Sequence, residues 1–414
     1  MDYIEIKDMD MNSIIAYIGS FKPPIEDAVA KRAMGLAFAL NLAGYEVKLL
    51  GECNAVARGQ LSSAKEYRGI EYRCIHHARN AFEHYDYLVD LMLIKQQIDE
   101  WNANRRLKCV IYCGMKCSLL AKGVVEHCRR QGISVIADSM DWLSSHTGNP
   151  FFDIVKNLDM RYELNGINRK ADGVIAISRY LANYYTEMGK KTMVVPPLSI
   201  YEKRSKDIKS KAIPELMYAG VPCRLDRPLK KLEDAKDRLD IAIDILYEIA
   251  QRGIPFFFHI YGLTETQYQT AFPHQKKKIQ YLLETKCLMF YGRVSEKIVR
   301  EKTEQVDYTI LIREKNRTTM AGFSTKLAES LAIGTPVITT DTSDILQYAV
   351  DGSEVIIVDC SNLEKSIQRI AKVLTMEVGE RKHIMDITGK NHSFSPYSYC
   401  DEVRAFIEQV AGEK

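Results

Sequence analysis

Short strands rich in Val and Ile alternate with amphipathic helices along this chain, and the alternation stops and restarts once. Such alternation builds parallel sheets, because two parallel neighbours need a crossover long enough to hold a helix. In the first half the pattern predicts strands over 13–18, 46–50, 108–112, 134–137 and 173–177, with helices over 28–42, 118–131, 159–170 and 180–187. Pro196 and Pro197 end this half, and the charged stretch from Tyr201 to Lys211 reads as a linker. The second half has predicted strands over 215–219, 255–261, 288–291, 308–312, 336–340 and 355–358, and helices over 238–251, 296–303, 325–332 and 363–374. With 414 residues the chain exceeds the roughly 250–300 at which a single core stops growing. Two doubly wound α/β lobes are expected, with ligands at the carboxyl ends of the strands in the cleft between them.

Composition narrows the function classes. The net charge of +3 is spread evenly over the two halves, so there is no basic half to recruit nucleic acid. The start, Met1 to Met11, is acidic and lacks an apolar signal region, and no run of about 18 apolar residues occurs. A cytoplasmic location is expected. Ten cysteines without metal spacing fit a reducing compartment. Cys109, Cys113 and Cys117 are evenly spaced, but they run from a predicted strand into a loop and helix and read as core packing. The absence of G-x-G-x-x-G argues against a dinucleotide site.

The segment from Ala321 to Thr340, AGFSTKLAESLAIGTPVITT, carries the most chemistry. An apolar-periodic helix breaks at Gly334 and leads through Thr335 and Pro336 into a strand. Free N–H groups near Ser324, Thr325 and Lys326, together with the helix dipole, suit an anion such as phosphate. Glu329, one turn further in, is placed to accept from ribose hydroxyls. A helix capped by Ser324 or Thr325 with a glycine stop is also ordinary structure. The segment resembles the donor-site motif of GT-B glycosyltransferases of the family 4 group, retaining enzymes whose usual form is E-G-F-G-x-x-x-x-E-A-x-A-x-G-x-P-V. Gly322, Phe323, Glu329, Ala332, Gly334, Pro336 and Val337 match that pattern, while Ala321 replaces the first Glu and Ser324 the second Gly. The stretch ADSMDWLSSH, with Asp138, Asp141, Trp142 and His146, is similar to the D-x-T-E-W segment of bacterial capsule and surface-polysaccharide transferases. That subgroup has an A-G-F-P-T-K form in which Ala at position 321 is normal. Arg161, and Ser178 in AISRYL, also resemble its pattern.

The resemblance implies a GT-B fold, two doubly wound Rossmann-like domains facing across a cleft. Residues 1–200 would form the acceptor domain, 201–390 the nucleotide-sugar domain, and 391–414 a helix crossing back to the first. Lys236 resembles the family's diphosphate lysine. The arginine that usually accompanies it follows a glycine, but Gly220 is followed by Val221, so Arg224, Arg313 or Arg317 would supply the charge. Arg313 is favoured because it follows an apolar strand directly. Gly262 and the Gly292-Arg293-Val294 turn close neighbouring strands, and the backbone at Arg293 and Val294 would read the base. Gly322, Phe323, Ser324, Thr325, Lys326, Leu327 and Glu329 complete the donor-binding set.

Retaining enzymes of this kind are thought to use a front-face route with no covalent nucleophile, leaving Asp141 and His146 to position the acceptor or to serve structure. No resident cofactor is implied, the donor being a UDP- or GDP-sugar. Asp8-Met9-Asp10 mimics a metal-binding D-x-D, but it precedes the first strand, so metal independence is expected. The partners implied are a nucleotide sugar and a glycan or lipid-linked acceptor at the inner membrane face, with no nucleic acid. A nucleotide-sugar epimerase of the same fold and a non-catalytic partner subunit are the alternatives. Peripheral membrane contact is left open: Leu119, Leu120, Val124 and Val125 bordered by Lys116, Lys122, Arg129 and Arg130 suit anionic lipid, although packing on the sheet gives the same pattern and is favoured.

Overall fold

The computed structural model describes residues 13–142, 150–201, 211–229 and 231–412. The chain divides into two compact units. The first holds Met1–Ile200, Ala321–Thr325 and Ser395–Lys414, and the second holds Tyr201–Met320 and Lys326–Phe394.

The first unit is built on an eight-stranded sheet. Its strands are β1 (Ile14–Gly19), β2 (Glu46–Cys53), β3 (Lys65–Tyr67), β4 (Ile70–His76), β5 (Leu107–Cys113), β6 (Ser134–Ser139), β7 (Gly173–Ala176) and β8 (Lys191–Val194). They lie in the order β3-β4-β2-β1-β5-β6-β7-β8, all parallel except the β3–β4 pair. Strand β1, IIAYIG, is buried at every position, as a parallel strand covered on both faces must be. The Ala28–Leu42 helix starts at Asp27, whose carboxylate accepts from the Ala30 amide at 2.8 Å. Such a cap contributes about 1 kcal/mol.

Five parts of this unit escape the sequence pattern. The β3–β4 hairpin, the Ala81–Tyr85 helix, the Leu88–Trp101 helix and β8 lie outside it, and the helix expected over 159–170 begins at Pro150. That helix also changes pitch, running as an α-helix over Pro150–Tyr162, a single π turn over Glu163–Ile167 and a 3-10 turn over Asn168–Lys170. On the Ser118–Arg130 helix, Leu120, Val124 and Val125 are buried and Leu119 is exposed, so its apolar face packs inward. Cys109, Cys113 and Cys117 are buried free thiols, the first and second pushed up to about 12 and beyond the ordinary range by burial. The terminal Cys400–Ala411 helix belongs to this unit as well. Val410 and Phe406 lie where a side chain on Gly173 would stand, and Glu408 takes bonds from Tyr45 and Lys108.

The second unit has a six-stranded parallel sheet. Its strands are β9 (Glu215–Ala219), β10 (Phe257–Tyr261), β11 (Leu288–Phe290), β12 (Tyr308–Leu311), β13 (Val337–Thr340) and β14 (Val355–Val358), in the order β11-β10-β9-β12-β13-β14. All six strands appear where the sequence pattern places them. The helices Glu265–Ala271, Lys276–Glu284 and Val378–Thr388 are additions to it. Arg381 on the last of these is fully buried, its guanidinium 3.2 Å from Asp307.

Each sheet therefore has one place where the strand order reverses, between β1 and β5 in the first unit and between β9 and β12 in the second. Crossovers leave in opposite directions there, and the loops at the carboxyl ends part to form a crevice. Among the described residues, no helix is long and apolar enough to cross a membrane.

Candidate active site

At the reversal point of the second unit, four side chains meet. Asp237, in the turn before the Leu239–Gln251 helix, is buried with 2% of its side chain exposed. Its Oδ1 accepts from Arg313 Nε at 2.8 Å and its Oδ2 from Lys326 Nζ at 2.6 Å. Tyr218, on β9, donates its hydroxyl to Asp237 Oδ2 at 2.9 Å, and the Lys326 ammonium lies 4.6 Å from the Tyr218 ring centre. Arg313 is separated from the end of β12 by one residue, and Thr340 at the end of β13 accepts from its backbone amide at 3.0 Å.

The electrostatics of this group favour an anion. Burial works against the Asp237 carboxylate, but Lys326 and Arg313 overcome it and hold the group well below the usual range. Burial lowers the Lys326 ammonium from its ordinary 10.5, Asp237 opposes this, and Arg313 and Lys236 add to it. Lys326 also stands at the amino-terminal end of the Thr325–Ile333 helix, where the macrodipole is positive and a lysine is disfavoured. Two cations and a helix start thus share one carboxylate. A buried pair is stabilising only when both partners stay, and removing one costs about 3–5 kcal/mol. The surplus positive charge at this point is what a diphosphate would neutralise.

Glycines set the distances around it. Gly220 after β9 has φ +142°, and a Cβ there would come within 2.2 Å of Lys326 Nζ. Gly262 after β10 has φ +104°, and its Cβ would lie 2.5 Å from the Gly220 carbonyl oxygen. The Gly262 amide in turn donates to Gly292 O at 2.7 Å. The three strand-end loops therefore touch backbone to backbone, a contact that no larger residue permits at the first two positions.

The other predicted residues fall outside this group. Arg224 is exposed and paired with Asp226 at 2.7 Å, so its charge is met locally. Lys236 is exposed, and the neighbouring Asp237 takes the buried position, which lies on the side of the turn facing Arg313 and Lys326. Arg293 is exposed, while Val294 packs against Met217, Tyr261 and Val306. Leu327 is buried and Glu329 half-buried on the Thr325–Ile333 helix. Gly322, Phe323 and Ser324 are buried and Thr325 half-buried in the stretch that clusters with the first unit. There Ser178 Oγ donates to Ala321 O at 2.5 Å.

In the first unit, Asp138 is a structural anchor. Tyr17 donates to it at 2.5 Å and Arg32 at 2.6 Å, all buried. Asp141 is half-buried and lines a cavity, and Trp142 meets the rings of Tyr180 and Tyr184 edge-on. His146, like Asp8 and Asp10 and most of the Tyr201–Lys211 stretch, lies outside the described residues. Asp237 and Tyr218 were not foreseen. The one sequence signal for Asp237 was its place in the K-D pair at a helix start.

Comparison with known proteins gives the site a context. Residues 232–392, which span most of the second unit, match the family described as glycosyl transferases group 1. No curated protein matches the chain. Among solved structures, the sucrose-phosphate synthase of Thermosynechococcus elongatus is similar over 97% of this chain and 100% of its own, with a TM-score of 0.63 and 14% identity. The Anabaena HepE protein in complex with UDP and glucose is similar over 96% of this chain and 100% of its own, with a TM-score of 0.60 and 12% identity. The catalytic domain of starch synthase IV from Arabidopsis thaliana, bound to ADP and acarbose, is similar over 97% and 99%, with a TM-score of 0.63 and 8% identity. The fold is the two-domain Rossmann-like α/β architecture of GT-B glycosyltransferases, and the family match supports glycosyl transfer.

Proposed function

We propose that this protein is a retaining, metal-independent glycosyltransferase. It moves a sugar from a UDP- or GDP-sugar to a glycan or lipid-linked acceptor in the synthesis of a bacterial surface polysaccharide, at the inner face of the membrane. The observation that carries this reading is the Lys326–Asp237–Arg313 group at the reversal point of the second unit's sheet. As the glycosidic bond breaks, the departing diphosphate gathers negative charge, and fixed cations stabilise that charge without reorganising. Lys326 and Arg313 are those fixed cations, kept in place by Asp237 before the donor arrives, and Lys236 adds charge from the exposed side of the turn. Glu329 accepts from the ribose hydroxyls. The bound UDP of the Anabaena protein and the bound ADP of the plant enzyme support a nucleoside diphosphate as the ligand class. Retention follows the front-face route, in which the leaving phosphate takes the acceptor proton and no side chain bonds to the sugar.

Thermal-shift measurement with UDP, GDP, ADP and their sugars tests the donor site. A ligand at one hundred times its Kd stabilises the native state by about 2.7 kcal/mol, so the matching nucleotide raises Tm measurably. Glu329→Ala is expected to abolish that rise, and an unchanged nucleotide affinity in this variant would show the assignment to be wrong. Transfer that survives EDTA, with an axial product linkage from an axial donor by NMR, is the expected outcome for the chemistry.

A further inference from the structure

Three successive helical segments of the first unit end on pairs of cations. Arg129-Arg130 closes the Ser118–Arg130 helix, Arg169-Lys170 closes the 3-10 turn Asn168–Lys170, and Lys190-Lys191 follows the Arg179–Glu187 helix. The three turns lead into β6, β7 and β8, which are neighbours in the sheet, and Gly173 pairs with both Ile136 and Lys191. Neighbouring strands lie about 4.8 Å apart, so the three cationic pairs share one rim of roughly 10 Å at the amino ends. The crevice of this sheet lies at the opposite, carboxyl ends.

Part of this charge has a local use. A cation in the last turn complements the negative end of a helix and can hold its last carbonyls. Arg129 donates to Lys170 O, Lys190 Nζ to Ala171 O at 3.0 Å, and Lys191 Nζ to Gln409 O at 2.7 Å. Because Lys170 and Ala171 are consecutive, the first two bonds bring the Arg129 and Lys190 head groups side by side, where like charges repel. Burial lowers the Lys190 ammonium most, Arg129 and Arg169 lower it further, and Asp172 alone opposes them. The acids nearby are already engaged. Asp172 Oδ2 accepts from the Val135 amide at 2.8 Å, and Asp99 is held by His127 at 2.7 Å and Gln131 at 3.1 Å. Among the described residues, no carboxylate pairs with Arg129, Arg130, Arg169 or Lys190.

Capping accounts for a cation at each helix end, but not for bringing the three ends together. The Arg129 guanidinium and the Lys190 ammonium keep N–H donors beyond those given to the carbonyls, and Arg169 donates to no described group. Gly132 and Gly189 stand in the turns, and a Cβ on either would meet nothing within 4 Å, so the space beside the cations is open.

We propose that these turns form a site for a compact phosphate anion of two or more charges, such as pyrophosphate or a sugar phosphate, bound by Arg129, Arg169 and Lys190. The planar guanidinium forks match phosphate oxygens, and the ammonium adds a point charge. A flat anionic surface fits less well, because Lys190 is half-buried and both it and Arg129 are tied to carbonyls. The site is separate from the Lys326–Asp237–Arg313 group of the second unit, and it does not rest on the glycosyl-transfer reading.

Calorimetric titration of the full chain with pyrophosphate at low ionic strength, with and without UDP, tests it. One pyrophosphate is expected to bind per chain in the presence of UDP. Arg129→Gln, Arg169→Gln and Lys190→Gln each weaken it roughly tenfold, the loss of one charge-assisted hydrogen bond. Arg169→Lys loses less, and the exposed pair Lys276→Gln and Lys277→Gln of the second unit binds as the natural chain does. The melting temperature of each variant without ligand reports its folding. The proposal fails if pyrophosphate does not bind, if the three variants bind it as tightly as the natural chain, or if UDP displaces it. It fails equally if phosphatidylglycerol vesicles bind the chain and free pyrophosphate does not.

Discussion

Replacing Asp237 by Asn keeps the shape of the side chain and removes its charge, leaving Arg313 and Lys326 beside each other without a counter-ion. Because Arg313 is nearly buried while Lys326 keeps 36% of its side chain exposed, the loss is set at the lower end for a broken buried pair, about 3 kcal/mol in a urea titration. The sign of the pH effect follows from the depressed carboxylate. Its contribution is complete above the unfolded value of about 4 and is lost as pH falls through the lower folded value. Asn at this position should therefore flatten the acid limb of the stability curve, measured as urea midpoints from pH 2 to 7. Glu163 behaves in the opposite sense. Its folded value near 8 means that the native chain holds a proton the unfolded chain releases, so stability falls as pH rises from about 4.5 to 8. Glu163→Gln should match the natural protein near pH 4 and exceed it at pH 8 by on the order of 3 kcal/mol. Neither acid stands out in the sequence. Asp237 sits between Lys236 and Arg238 and reads as part of a solvated turn, and Glu163 falls in a helix whose one-residue π expansion the 3.6 period does not register.

At the level of elements, the strands of the second unit were legible because they are short, apolar and bounded by glycine or proline. The stretch between β2 and β5 was not. Strand β4, IEYRCIH, is only half covered and carries Glu, Arg and His, so no apolar run marks it. The Leu88–Trp101 helix buries Asp90 and Gln97 beside Ile94, Ile98 and Trp101 while exposing Leu88 and Met92, which blurs the usual amphipathic signal. The blurring has a tertiary cause, since Asp90 is buried to meet Lys116 on another segment. Arg313 and Lys326 were legible for the converse reason: a strand end and a helix start place charge at the crevice whatever the partners are. The glycines between these elements give a further prediction. Gly220→Ala must move Lys326 and strain a backbone at φ +142°. A loss of about 1–2 kcal/mol in stability is expected from the backbone alone, with a fall in nucleotide affinity by calorimetry as Lys326 is displaced.

At the scale of the whole molecule, the terminal helix belongs to a sheet that begins at the other end of the chain. Val403, Phe406, Ile407 and Val410 are all buried there. At about 1.5–3 kcal/mol for each side chain, their removal takes roughly 6–12 kcal/mol, comparable to the whole stability of a domain. A chain ending at Phe394 should lose hydrogen-exchange protection in β1, β5 and β8 while β9 to β14 keep theirs. The same arrangement bears on how the protein is made. Strands β1 to β8 leave the ribosome before the second unit, but the helix that covers Gly173 leaves only after the entire second unit has been synthesised. At about 5–20 residues per second this delay is roughly ten to forty seconds. During that interval the surface meant for Phe406 and Val410 is bare apolar area, so the second unit, though begun later, is the first whose core can close.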